Sequence, residues 1–228
     1  MSLEQRLGDV RARIREAAEK CGRNSDDIKL IAVTKTYPTD AMNEAIRLGV
    51  TDIGENKPQE VRDKFDSVEP VKWHLIGHLQ TNKVKYVIDR CCMIHSVDSI
   101  KLMQELERQA LAKDCDIDIL IQVNISGEQS KSGIAPDMLD SLLQYAKELK
   151  RVHIKGLMTV APKSEYGDVS THFKNMKSLF DKTAQKHYEN VDMTELSMGM
   201  SGDFETAIAY GATMIRIGSL IFGPRNYN

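Results

Sequence analysis

The sequence predicts an α/β protein: a single (β/α)8 TIM barrel with one extra helix before the first strand. Two observations predict this fold. Short apolar segments alternate with longer amphipathic segments along the chain, which is typical of a parallel sheet with helical crossovers. Eight such strand segments fit into 228 residues, at the small end of the range for this barrel.

The predicted strands are short and apolar, and the fifth is the most apolar, as expected of a strand covered on both faces. They cover residues 29–34, 52–54, 72–76, 93–96, 117–125, 152–157, 195–197 and 213–217. The helices are placed by helical spacing of apolar residues and by Pro and Gly at their ends. They cover residues 3–21, 39–48, a segment from 58, 81–90, 98–112, 136–150, 168–188 and 202–210. A doubly wound open sheet is the alternative, and the absence of GxGxxG after the first strand weakens it.

The composition predicts one globular domain over residues 1–228. Hydrophobic residues make up 41%, charged residues 28%, and the net charge is −2, with no basic stripe that would suggest nucleic acid or a membrane surface. No apolar run reaches the length of a membrane span, and the N-terminus has no signal-peptide pattern. The four cysteines show neither CxxC nor zinc spacing. We therefore expect a reduced, cytoplasmic protein, and the surface pattern is compatible with a monomer.

In such a barrel the functional groups lie at the C-terminal ends of the strands. This rule selects the following candidates: Lys35, Asn56, His74, His78, Asn124, Met158, Thr159, Ser201, Arg216, Gly218 and Ser219.

Lys35 follows the first predicted strand, on the same face as Ile31 and Val33. A lysine at the barrel mouth is partly desolvated, and desolvation lowers a lysine pKa and frees the amine. A free amine can form a Schiff base with an aldehyde. The alternative is a solvated lysine at a strand end.

Arg216 lies in an otherwise apolar predicted strand, where a guanidinium needs an acceptor. A buried salt bridge and a donor aimed at a ligand are equally good interpretations. Two loops rich in Gly and Ser, 197–202 and 218–223, follow the seventh and eighth strands. Loops at these positions frequently bind phosphate, although ordinary turn chemistry explains either loop alone. Pyridoxal 5'-phosphate is a common molecule with an aldehyde, a phosphate and a ring acceptor together.

The chain resembles the pyridoxal phosphate homeostasis protein family, whose barrel is similar to the N-terminal domain of alanine racemase and to the barrel of eukaryotic ornithine decarboxylase. The resemblance rests on segments spread over nearly the whole chain. They are 32–35 (AVTK), 54–60 (GENKPQE), 73–83 (WHLIGHLQTNK), 122–124 with Glu128, Lys131 and Gly133, 155–159 (KGLMT), 196–203 (LSMGMSGD), and 216–219 (RIGS) with Phe222 and Gly223.

The resemblance implies a Schiff base between Lys35 and pyridoxal 5'-phosphate. It also implies Ser201, Gly218 and Ser219 at the phosphate, Arg216 at the pyridine nitrogen, and Asn56 and Met158 near the ring. An arginine keeps that nitrogen unprotonated, which makes the ring a poorer electron sink.

Racemases of this fold take a second base from another domain, whereas this sequence ends at Asn228, just past the predicted eighth strand. We expect Tyr37 and His78, the conceivable substitutes, to pack or to contact solvent.

The expected function is therefore intracellular homeostasis of pyridoxal 5'-phosphate: the protein holds the cofactor and buffers or delivers it, with at most weak catalysis. Candidate recipients are apoenzymes that use this cofactor, which no visible motif identifies. An amino acid racemase or decarboxylase is the alternative, and an aldolase acting on a phosphorylated sugar is a third.

Overall fold

The eight strands form a closed parallel barrel in chain order, and the last pairs with the first. The structure is a computed structural model and describes residues 1–128, 132–162 and 169–224. The strands are β1 (Lys29–Val33), β2 (Asp52–Glu55), β3 (Lys72–Leu75), β4 (Cys91–Val97), β5 (Ile117–Gln122), β6 (Val152–Met158), β7 (Val191–Ser197) and β8 (Met214–Ile217). The predicted (β/α)8 barrel is confirmed.

Eight α-helices occur in the described part of the chain. They are α1 (Leu3–Lys20), α2 (Thr39–Arg47), α3 (Pro58–Lys64), α4 (Ile100–Lys113), α5 (Leu139–Tyr145), α6 (Val169–Ala184), α7 (Phe204–Ala209) and α8 (Ser219–Phe222). The extra helix α1 begins with a capping box between Ser2 and Gln5. It packs against α7 and α8, and Arg6 Nε donates to Ile221 O at 2.7 Å. No helix among the described residues is long and apolar enough to cross a bilayer.

Two predicted helices differ in the structure. The segment predicted as a helix over 81–90 is a 3-10 helix, Thr81–Tyr86, and its buried Val84 lies three residues before the buried Val87 that ends it, which matches three residues per turn. The segment 136–150 forms α5 with a single 3-10 turn at each end, Pro136–Met138 and Ala146–Glu148. The predicted loops at 126–135 and 162–167 lie partly outside the described residues.

A bulge in β6 decides which of its side chains enter the barrel. The pairing between β6 and β7 shifts between Ile154 and Gly156. Gly156 has φ of 151°, and a Cβ there would lie 1.8 Å from Glu195 O, so only glycine fits. Beyond the bulge, Met158 is fully buried inside the barrel in a small apolar cluster. That cluster comprises Ile31, Met93, Leu120, Met158 and Met214.

Candidate cofactor site

A cavity of about 410 Å³ opens at the C-terminal ends of the strands, within the size range of small-molecule sites. It brings together six of the seven residues predicted to bind a cofactor. Its lining is Val33, Lys35, Asn56, Ile76, Val160, Met200, Ser201, Gly202, Arg216, Gly218 and Ser219. A larger cavity of about 630 Å³ lies against α1 at the N-terminal ends of β1 and β2. The smaller cavity is the candidate site because the C-terminal face carries function in this fold.

Lys35 lies in a tight turn directly after β1. The turn is closed by a hydrogen bond of 3.0 Å from Tyr37 N to Thr34 O, which puts Lys35 at its second position. Thr36, at the third position, has φ of 69°, a conformation that favours glycine. The half-buried Lys35 therefore stands on a strained turn at the cavity wall, beside Val33.

Arg216 lies inside the barrel and is only 4% exposed. Its Nη1 donates to Ser197 Oγ at 2.5 Å and its Nη2 donates to Thr159 O at 2.9 Å. Burial lowers the pKa of Arg216 to about 10, so the guanidinium stays charged at neutral pH. Within the described ranges no carboxylate pairs with it, so the salt-bridge interpretation is wrong for this part of the chain. A buried cation without a paired carboxylate is suited to an external acceptor.

The two predicted Gly/Ser loops lie side by side at the cavity. Gly199 has φ of 93°, and a Cβ there would lie 2.6 Å from Ala207 Cβ, so the loop packs closely on α7. Gly199 O accepts from Arg216 N at 3.0 Å, which joins the first loop to β8. At Gly218 a Cβ would come within 3.2 Å of Val33 O, so the second loop runs close to the end of β1. Ser201 and Ser219 thus reach the same cavity as Lys35.

Asn56 follows β2 and is fixed by close backbone packing. A Cβ at Gly77 would lie 2.2 Å from Asn56 O, so the loop after β3 approaches Asn56 as only glycine allows. This contact places Asn56 at the cavity wall.

Three residues that the sequence analysis considered do not line the cavity. Met158 lies in the buried cluster below the cavity, and Val160, two residues further along the same face, lines the wall instead. Tyr37 packs on Phe222 and donates to Gly223 O at 2.7 Å. His78 is half exposed, with its Nδ1 3.7 Å from Asp98 Oδ2.

A buried polar chain that the sequence did not reveal runs from Arg216 through the barrel interior. His95 Nδ1 lies 2.9 Å from Ser197 Oγ, His95 Nε2 lies 2.9 Å from His74 Nδ1, and His74 Nε2 lies 2.8 Å from Asp52 Oδ1. All of these side chains are at most 5% exposed. The chain connects the cavity at one end of the barrel to the start of β2 at the other.

The groups at the two ends of this chain determine which atom donates and which accepts in each of its hydrogen bonds. Asp52 accepts from His74 Nε2–H, so a neutral His74 presents Nδ1 as an acceptor to His95 Nε2–H. A neutral His95 then accepts from the Ser197 hydroxyl, whose oxygen accepts from Arg216. Burial raises the pKa of Asp52, but hydrogen bonds from His74 and Thr51 outweigh it and leave that pKa below the ordinary value. Every donor points from Arg216 towards a carboxylate, which fixes the orientation of the guanidinium.

This chain predicts a pH dependence of stability. Burial, together with His74 and Arg216, lowers the pKa of His95 well below 6.5. In the unfolded chain His95 titrates at about pH 6.5, so below that pH the unfolded state binds a proton that the folded state does not bind. The free energy of unfolding therefore decreases as the pH is lowered below about 6.5, by up to about 1.4 kcal/mol per pH unit from this residue.

Urea unfolding between about pH 5 and pH 7.5 measures this slope. We expect a smaller slope in His95→Gln than in the wild type, whatever the change in stability at neutral pH. His153→Gln removes a more exposed histidine and serves as the control. Equal slopes in the wild type and His95→Gln would show that His95 is not held neutral.

Comparison with known proteins assigns the family. The alanine racemase N-terminal domain family matches residues 6–226. The pyridoxal phosphate homeostasis protein of Aquifex aeolicus is 41% identical across the whole of both chains. That of Escherichia coli K12 is also 41% identical, over 97% of this chain and 96% of the other. The chain belongs to the pyridoxal phosphate homeostasis protein family.

Solved structures agree with membership of this family. PipY of Synechococcus elongatus, in a structure with pyridoxal phosphate bound, has a TM-score of 0.79 and 31% identity, covering 97% of this chain and all of the other. An alanine racemase of Clostridium difficile has a TM-score of 0.72 at 15% identity, and the match covers 57% of its length. The likeness to the racemase shows the fold alone.

Proposed function

We propose that this protein binds pyridoxal 5'-phosphate at the Lys35 cavity and buffers or delivers it inside the cell, with apoenzymes as recipients. The observation that carries the proposal is that one cavity holds a half-buried amine, two Gly/Ser loops and a buried guanidinium with no carboxylate partner among the described residues. These groups match the aldehyde, phosphate and ring nitrogen of the cofactor. The family relatives named for its homeostasis, and PipY with the cofactor bound, support the proposal.

When bound, the cofactor supplies an aldehyde that a lysine amine attacks to form a Schiff base with loss of water. Lys35 provides that amine from its turn. Ser201 and Ser219 provide hydroxyl donors for the phosphate, and Gly218 lets the backbone come close to it. The guanidinium N–H groups of Arg216 outside its two interior bonds are the donors for the ring nitrogen.

The described lining of the cavity has few groups that could act as catalysts. Among the described residues that line it, only Lys35 and Arg216 carry ionisable side chains. Racemisation needs a second acid or base on the opposite face of the substrate, and Arg216 cannot serve because it remains protonated. Arg216 also keeps a ring nitrogen unprotonated, which weakens the ring as an electron sink. These properties favour a carrier over a racemase, decarboxylase or aldolase.

Titration of the protein with pyridoxal 5'-phosphate tests the binding. We expect a saturable visible absorbance band, and borohydride reduction should fix the cofactor on the peptide that contains Lys35. A modified peptide elsewhere, or no saturation, would refute the proposed site.

Exchange of the α-proton separates the carrier from the racemase. The loaded protein is incubated with each proteinogenic amino acid in deuterated water, and α-deuterium is measured by mass spectrometry. We expect no exchange above that of the free cofactor. Rapid exchange of one amino acid would favour the racemase alternative.

A further inference from the structure

The strained turn that carries Lys35 is held by a cluster of three charged side chains outside the cavity. We propose that Glu60, Lys64 and Glu55 are positioning residues, which lock this turn in the conformation that directs Lys35 at the cofactor. The inference rests on the proposed function of Lys35, and it assigns a role to two acidic residues of the segment 54–60.

The first observation is the turn itself. A positive φ is uncommon outside glycine and is an outlier for a β-branched residue such as Thr36. Such a conformation persists only where neighbouring groups hold it. Glu60 supplies one such group, because its Oε2 accepts from Thr36 N at 2.9 Å. This bond engages the residue directly after Lys35.

The second observation is that the residue before Lys35 is held by the same cluster. Thr34 is fully buried, and its hydroxyl donates to Glu55 Oε1 at 2.8 Å. Lys64 Nζ lies 3.4 Å from Thr34 O, 2.9 Å from Glu55 Oε1 and 2.8 Å from Glu60 Oε2. One ammonium thus ties both carboxylates to the backbone, and Lys35 is held from both sides.

The third observation concerns burial. Glu55 is fully buried and the side chain of Lys64 is 16% exposed, so this ion pair is shielded from solvent. Glu55 Oε2 is the single buried side-chain oxygen or nitrogen without a hydrogen-bond partner among the described residues. A buried acid with an unsatisfied oxygen costs stability, and such costs are typical of functional positions. Shielding also makes charged hydrogen bonds stronger than they would be in water.

A coupled pair of variants tests the role of Glu60. Glu60→Ala removes the acceptor for Thr36 N, and we expect the rate of covalent attachment at Lys35 to fall by at least about tenfold. Glu60→Gln keeps an acceptor oxygen and should recover part of the rate. Asp63→Ala removes an exposed carboxylate from the same helix, which pairs with Arg62, and is the matched control.

Thr36→Gly distinguishes positioning from general stability. Glycine adopts a positive φ without strain, so Thr36→Gly with Glu60→Ala should attach the cofactor faster than Glu60→Ala alone. Thermal unfolding of each variant monitors the fold. An unchanged rate in Glu60→Ala, or no recovery in the folded double variant, would overturn the proposal.

Hydrogen exchange of the ligand-free protein tests the cluster without the cofactor. We expect the Thr36 amide to exchange at least about tenfold faster in Glu60→Ala than in the wild type or Asp63→Ala. Equal exchange in all three would contradict the positioning role even if Lys35 binds the cofactor. Normal protection of Thr36 in a wild type that never forms the Lys35 adduct would instead refute the proposed function alone.

Discussion

Lys35→Ala is expected to abolish covalent attachment of pyridoxal 5'-phosphate and the visible absorbance band. The loops at Ser201 and Ser219 would still hold the phosphate, so weak binding should survive. We expect the apparent affinity to fall by about a hundredfold, equivalent to about 2.7 kcal/mol. Titration followed by absorbance and by calorimetry measures both effects.

The control for this variant is Lys57→Ala. Lys57 is an exposed lysine beside Asn56, and it tests for unspecific reaction of the aldehyde with surface amines. We expect Lys57→Ala to match the wild type in both band and affinity. Lys35 is half-buried at the end of a strand, so its loss should change the melting temperature little. Retention of the full band in Lys35→Ala would place the bond on another lysine.

Arg216→Met is expected to weaken cofactor binding while changing the stability of the ligand-free protein little. Burial lowers the pKa of Arg216 to about 10, which corresponds to a cost of about 3 kcal/mol for the charged form. Methionine has a similar length and carries no charge, so it removes this cost but leaves Ser197 Oγ and Thr159 O without the guanidinium donors. Ser197 keeps its contact with His95 in the variant.

The loss of binding follows from the same guanidinium. A hydrogen bond to a charged donor contributes about 1.5–3 kcal/mol, so the affinity for pyridoxal 5'-phosphate should fall by about ten- to a hundredfold. The absorbance maximum should also shift, because the ring nitrogen loses its donor. Denaturant unfolding without the cofactor gives the stability. A large loss of stability in Arg216→Met would mean that the main role of Arg216 is to stabilise the fold.

Much of the lining of the candidate cavity could be predicted because strand ends are local in sequence. Lys35, Asn56, Arg216 and Gly218 each lie within two residues of a strand end, and a closed barrel brings all such ends to one face. The glycines were informative for a similar reason. Where the fold leaves no room for a Cβ, the sequence must carry a glycine, and that glycine can be read directly. The cofactor itself followed from the combination of groups and from the resemblance to a known family.

The position of Met158 below the cavity could not be predicted from its place at a strand end. Its face and depth depend on the bulge at Gly156 and on β6 continuing to Met158, and two residues along a strand move a side chain by about 7 Å. The helix predicted over 81–90 failed for a similar reason, because 3-10 and α-helical spacings differ by less than one residue per turn.

The sequence by itself determined the order of strands and helices, the lysine at the barrel mouth and the two Gly/Ser loops beside it. Only the tertiary structure showed that Asp52, His74, His95 and Ser197, from four different strands, form one chain that ends on Arg216. It also showed that Glu60 reaches the turn of Lys35. Periodicity reports which face a side chain takes along one element. A hydrogen bond between elements depends on register and depth across the closed sheet, which no local pattern encodes.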